Sequence, residues 1–277
     1  MKNNSVRAER PQKSGSQQKI VASMVVLTLV AWGCSRPSKP QSSTMETVDA
    51  AQILRQMSEK LAKSPQLTFK AKRQLDSALV GDSNMAESAE IEVAILRPNK
   101  VQATSTSNAG VRRFYADGQS ISMLDESMKL YATVPLSGTI DEMVDKLDEK
   151  YGFTPPLAEF VLNDPYQKFS QQIQSSVYRG KETINGVECD HLTLTGEIAD
   201  ADLWVSKTDQ LPQRFVATFK DREGSPQLKV DFSEWNLAAK LEESLFIFDP
   251  PKGSEKIKMA AIEDVEPDAE KGSKAAK

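Results

Sequence analysis

A mainly β, α+β domain built on one antiparallel sheet of about ten or eleven strands is what this sequence predicts, and three observations predict it. Short segments in which apolar and polar residues alternate recur along the chain. The residues between them are turn formers spaced as in hairpins, and only a few segments carry helical periodicity. A sheet of that size, apolar on one face, cannot stay flat, so it should curl, with the helices covering its concave face.

Ala50, Ile53, Leu54, Met57 and Leu61 fall at helical spacing, with Thr47 or Asp49 as cap and Pro65 beyond the end, which predicts an amphipathic helix over 48–63. Leu67, Phe69 and Ala71 alternate with Thr68, Lys70 and Lys72, and Ile91, Val93 and Ile95 with Glu90, Glu92 and Ala94. That is the period of half-buried strands with one wet face. Further strands are expected at 101–107, 111–116, 119–124, 129–134, 177–184, 187–195, 201–206, 211–220 and 226–233. Asn108-Ala109-Gly110, Asp117-Gly118, Asn185-Gly186 and Glu223-Gly224 separate neighbours as hairpin turns do, so consecutive strands should pair antiparallel.

Between the two β runs, Thr139 to Tyr151 puts Ile140, Met143, Val144 and Leu147 on one helical face, and Pro155 to Leu162 offers a second helix opened by proline. Trp235 and Phe246-Ile247-Phe248 read as a last strand-like segment, stopped by Pro250-Pro251. Trp204, Trp235, Phe246 and Phe248 are expected to pack in the core. The charged, alanine-rich tail, 260–277, is expected to be disordered.

The beginning of the chain reads as an export signal. Lys2, Arg7, Arg10, Lys13 and Lys19 precede an uncharged apolar run, Ile20 to Gly33, of 14 residues, short of the roughly 20 that cross a bilayer as a helix. The run stops at Cys34 in a segment that resembles a bacterial lipobox, with Ala31 where leucine is usual and a bulky Trp32. The resemblance implies cleavage before Cys34 and lipid attachment to its thiol; an ordinary cleaved signal and an uncleaved anchor are the alternatives. Ser35 after the cysteine resembles outer-membrane sorting rather than retention at the inner membrane. Residues 34–45 are polar and proline-spaced, as a tether is, which leaves 46–259 for the β domain.

Composition excludes several chemistries. The formal net charge is −4 and no basic block follows the leader, so nucleic acid is not an expected partner. Cys34 and Cys189 are the only cysteines and His191 the only histidine, too few for a thiolate or imidazole zinc site. With Cys34 acylated, Cys189 has no disulfide partner in the chain. The acids of 141–149 and 262–270 lack calcium-loop spacing, and no phosphate loop, dinucleotide glycine run or serine-hydrolase elbow occurs. No cofactor or metal is expected. Cys189-Asp190-His191 on a strand sends Cys189 and His191 to one face and Asp190 to the other, so the three cannot chain locally as nucleophile, base and orienter. A packed cysteine beside a hydrogen-bonded histidine is the plainer reading than a thiol enzyme.

Phe114-Tyr115-Ala116-Asp117-Gly118, Leu130-Tyr131-Ala132, Asp164-Pro165-Tyr166, Ile184 to Leu192, Leu203-Trp204, Leu211-Pro212, Phe232-Ser233-Glu234-Trp235 and Phe246 to Pro251, in this order over 46–258, resemble an uncharacterised family of predicted periplasmic proteins grouped with the LolA/LolB-like lipoprotein carriers. The resemblance implies an open half-barrel with a helical lid over an apolar cavity. On that footing the chain is expected to bind a lipid or the acyl chains of a lipoprotein. Candidate wall residues on the apolar side of the alternating runs are Phe69, Ile91, Val93, Ile95, Ile121, Met123, Leu192, Leu194, Phe215, Phe219, Leu228, Val230 and Phe232. The rival expectation is a regulatory or structural envelope module that binds another protein and fills its cavity with its own side chains.

Overall fold

The computed structural model describes residues 49–80 and 86–264. The expected signal, Cys34 and the tether lie outside the described residues, as does the tail beyond 264.

Helix α1 (Ala50–Ala62) is capped by Asp49, whose carboxylate accepts from Ala51 N at 2.9 Å, and buries Leu54, Met57 and Leu61. Six strands follow: β1 (Gln66–Leu75), β2 (Glu87–Leu96), β3 (Lys100–Ser107), β4 (Gly110–Ala116), β5 (Ser120–Asp125) and β6 (Leu130–Pro135). Helices α2 (Ile140–Tyr151), α3 (Ala158–Val161) and α4 (Pro165–Gln172) lead to β7 (Ile173–Ile184), β8 (Val187–Gly196), β9 (Ala199–Ser206), β10 (Pro212–Phe219) and β11 (Gln227–Asn236), with a two-residue β12 (Glu255–Lys256) near the end.

These strands form one open sheet in the order β12-β6-β5-β4-β3-β2-β1-β11-β10-β9-β8-β7. Two antiparallel meanders, β1 to β6 and β7 to β11, meet where β1 pairs with β11, and only β12 beside β6 is parallel. The tight turns follow their residues: Asn185 and Gly186 both have positive φ, 50° and 83°, the type I′ requirement, and close Ile184 onto Val187. The topology also explains where the helices lie. The first meander ends at one edge and the second begins at the other, ten strand intervals away, or about 48 Å of arc at ~4.8 Å each. Residues 136–172 must make that crossing, and they do so over the apolar face.

Helix α2 has a full capping box, with Glu142 N donating to Thr139 Oγ1 at 3.2 Å and Thr139 N to Glu142 Oε2 at 2.8 Å. Its expected face is the buried one: Ile140, Met143, Val144 and Leu147. The second expected helix is shorter than its periodicity suggests. Leu157 takes φ 67°, a left-handed conformation unfavourable for leucine, and delays helix until Ala158. Helix α4 was not anticipated, because Phe169 is its only large buried side chain.

Four further expectations are corrected. Strand β7 begins at Ile173, ahead of 177. Phe246-Ile247-Phe248 is not a strand: Glu243–Phe246 forms a 3-10 turn, and the segment after β11 crosses the convex side of the first meander. There Phe248 meets Tyr115 and Tyr131 at ring-centroid distances of 5.4 Å, Phe246 is fully buried, and Leu124 and Ala94, outward-facing by alternation, are buried too. The strap thus covers the convex side at Tyr115, Leu124 and Tyr131, while Lys70, Lys72, Glu90 and Glu92 of β1 and β2 keep the exposed face that alternation predicts. Trp204 lies outside the core, stacked on His191 at 4.3 Å with its Nε1 donating to Glu182 Oε2. Finally, the start of the expected disordered tail is structured: Ala261 is buried and a 3-10 turn spans Ile262–Asp264. Trp235 does join the core, stacked on Phe69 at 4.4 Å, because Glu234 at φ 52° breaks the alternation after Phe232.

If the convex strap is held by its buried ring, Phe246→Ala should cost about 3 kcal/mol in urea unfolding. A loss under about 1 kcal/mol would show that the strap contributes little.

Candidate functional site

Cross-strand registers arrange the concave face in rows. One runs Phe69–Val93–Ala103–Phe114–Met123–Ala132 across the first meander. Another runs Leu75–Leu228–Ala217–Ala201–Leu194–Ser176 across β1 and the second. The rows end differently once the helices cover them. Over the first meander, Ile140, Met143 and Val144 of α2 descend onto Ile91, Val93 and Ile121, leaving a cavity of about 100 Å³. Over the second, α4 supplies Phe169 above a floor of Ala199, Ala201 and Ala217, and a cavity of about 500 Å³ remains. Ligand pockets fall between about 300 and 1,000 Å³, so only the second is ligand-sized.

The segment after α2 serves both cavities. Pro155, Pro156, Leu157 and Val161 line the smaller one and Glu159 the larger. Phe160, fully buried, packs on Phe169, Phe215 and Phe232 at centroid distances of 5.6, 5.4 and 4.7 Å. Of the expected wall residues, Ile91, Val93 and Ile121 line the smaller cavity, and Leu194, Phe215, Phe219 and Leu228 the larger. Phe69, Ile95, Leu192, Val230 and Phe232 are solid core, and half-buried Met123 lines neither cavity. Reading large side chains alone missed the alanines, whose small size on an apolar row is what leaves room.

One end of the cover is fixed by a polar cluster. Arg97, just after β2, donates through Nη1 to Val161 O at 3.0 Å and Asn163 Oδ1 at 3.1 Å, and through Nη2 to Leu61 O at 3.4 Å. Asp141 of α2 accepts from the backbone N of Asn163 at 2.7 Å and from its Nδ2 at 2.6 Å. Burial pushes the Arg97 guanidinium down to about 10, against the opposing pull of Asp141. The cluster thus ties α1, α2 and the α3–α4 junction to the β2–β3 turn.

Within the apolar rows one ion pair intrudes. Arg73 of β1 meets Glu87 of β2 with side chains only 10% and 15% exposed, and Arg73 Nε has no hydrogen-bond partner among the described residues. On the other side of the sheet, His191 Nδ1 and Nε2 lie 2.9 Å from Glu182 Oε1 and Asp202 Oδ1. Cys189 Sγ instead donates to Val187 O at 3.4 Å, and burial pushes its thiol up to about 11. Thiol and imidazole therefore do not engage each other. No cluster of metal-ligating side chains occurs among the described residues, and no helix there is long and apolar enough to cross a membrane.

Among solved structures, a LolA superfamily protein from Nitrosomonas europaea is similar at 12% identity, over 73% of this chain and 99% of that one, with a TM-score of 0.36. The Mycobacterium tuberculosis lipoprotein LppX is similar at 14% identity, over 70% and 98%, with a TM-score of 0.42. The MucA/MucB complex of Pseudomonas aeruginosa matches at 15% identity, over 71% and 60%, with a TM-score of 0.38. No curated protein matches the sequence. A family model described as a predicted periplasmic protein, DUF2092, matches residues 50–260. The chain belongs to the DUF2092 family of predicted periplasmic proteins.

Proposed function

We propose that this chain is a periplasmic binding protein, lipid-anchored through Cys34 and facing the periplasm from the outer membrane, that holds an acyl chain of a lipid or lipoprotein between β7–β11 and the helices α3 and α4. The single observation that carries this reading is the cavity of about 500 Å³ whose floor is alanine and whose walls are Leu194, Phe215, Phe219, Leu228 and Phe169. At about 30 Å³ for each water-sized group, it holds on the order of 16 methylenes. At about 0.8 kcal/mol for each buried methylene, a twelve-carbon chain gains on the order of 9 kcal/mol, before the ordering costs of binding are subtracted.

An entrance is available where α4 passes into β7 and the β8–β9 hairpin turns. Gln171, Gln172, Gln174 and Glu197 are exposed there while lining the cavity, and Ile198 is 60% exposed at the same rim. A polar rim over an apolar floor suits a guest with one greasy and one wet end. The smaller cavity, packed by α2, supports rigidity of the first meander rather than binding.

Native mass spectrometry of protein purified without detergent should show co-purifying lipid, and Ala201→Trp, which fills the floor, should empty it while circular dichroism stays unchanged. A consistently empty wild type would contradict the reading, and a single dominant protein partner captured by crosslinking in cells would favour a protein-binding module. For the anchor, Cys34→Ser should shift the chain from the membrane pellet to the soluble fraction; an unchanged pellet would remove the lipid attachment.

A further inference from the structure

The polar groups that line the larger cavity are all carboxylates or amides: Glu159, Gln171, Gln172, Gln174 and Glu197. Among the described residues, no lysine, arginine or histidine lines it. Two bases stand near it, each already paired: Lys220 with Asp200 at 2.8 Å and with the carbonyl of the lining residue Gly196 at 2.7 Å, and Lys168 with Asp145 at 3.4 Å.

Glu159 differs from the rim residues. It stands on α3, two residues after the left-handed Leu157 and beside fully buried Phe160, and it is half-buried where Glu197 and the three glutamines are exposed. Burial raises its pKa, against the opposing pull of its own backbone N–H and of Lys168 at a distance. A carboxyl among apolar walls is costly unless paired. An anionic guest would deepen that cost by like-charge repulsion, whereas an ammonium would relieve it with a charge-assisted hydrogen bond.

Resting on the acyl-binding reading, we propose that this cavity selects amphiphiles whose hydrocarbon chain is joined to a primary ammonium head, with Glu159 as the group that recognises the head, and that it rejects anionic heads. The alanine floor takes the chain whatever its head, so affinity and head-group choice have separate sources in the structure.

The test compares three ligands with the same twelve-carbon chain, dodecylamine, dodecanol and dodecanoate, by isothermal titration below their micelle concentrations. The wild-type chain should bind the amine about ten-fold more tightly than the alcohol, and the carboxylate about ten-fold more weakly. Glu159→Gln should bring the amine to within about three-fold of the alcohol; Glu197→Gln, at the rim, should keep most of the preference. Equal binding of amine and alcohol by the wild type, which needs no variant to fold, would overturn this proposal alone. So would a preference that survives Glu159→Gln. Failure of all three ligands to bind would overturn the acyl-binding reading and this proposal with it.

Discussion

The concave face of this sheet is kept from water by α1 and by one long crossing of the chain, and how evenly that crossing covers it determines where space is left. Two meanders that meet at β1 and β11 place β6 and β7 at opposite ends of the sheet. The connection therefore has to travel the full arc. Its apolar side chains are concentrated at the start, where α2 contributes Ile140, Met143, Val144 and Leu147, and thin out towards α4, where Phe169 stands nearly alone. The hydrophobic effect closes the first half and leaves the second under-filled.

Polar anchoring reinforces the asymmetry. Arg97, Asn163 and Asp141 join the cover to the sheet at the β2–β3 turn, with every hydrogen bond directed to a backbone carbonyl, a backbone N–H or another member of the cluster. Nothing equivalent holds α4 to the β8–β9 hairpin among the described residues. The aromatic group around Phe160 stands between the two regimes and gives the larger cavity its inner wall. The two parts of the cover are adjacent in sequence, with Leu157 in its unfavourable conformation where they join.

Much of this was legible in the residues. Alternation located the strands, Asn185-Gly186 set the β7–β8 register, and the periodic faces of α1 and α2 are the ones buried. The rest depends on long-range geometry that local pattern does not encode. The β1–β11 pairing joins segments more than 150 residues apart, and the strap carrying Phe246 and Phe248 uses a convex face whose polar-looking strands gave no sign of a cover. Trp204 was assigned to the core by its size, yet its indole found a carboxylate and an imidazole outside. At the candidate site, large apolar residues signalled the walls, but the volume comes from Ala199, Ala201 and Ala217, and the inward placement of Glu159 depends on a backbone turn at a leucine.

Binding of a greasy chain depends on the ligand-sized space above those three alanines, whose floor is apolar. Apolar cavities that exclude water take up xenon, so a crystal of the unliganded protein pressurised with xenon measures it directly. Strong xenon density is expected between Phe169, Phe215 and Leu228. A xenon-free site in which α4 has collapsed onto the alanines would contradict it.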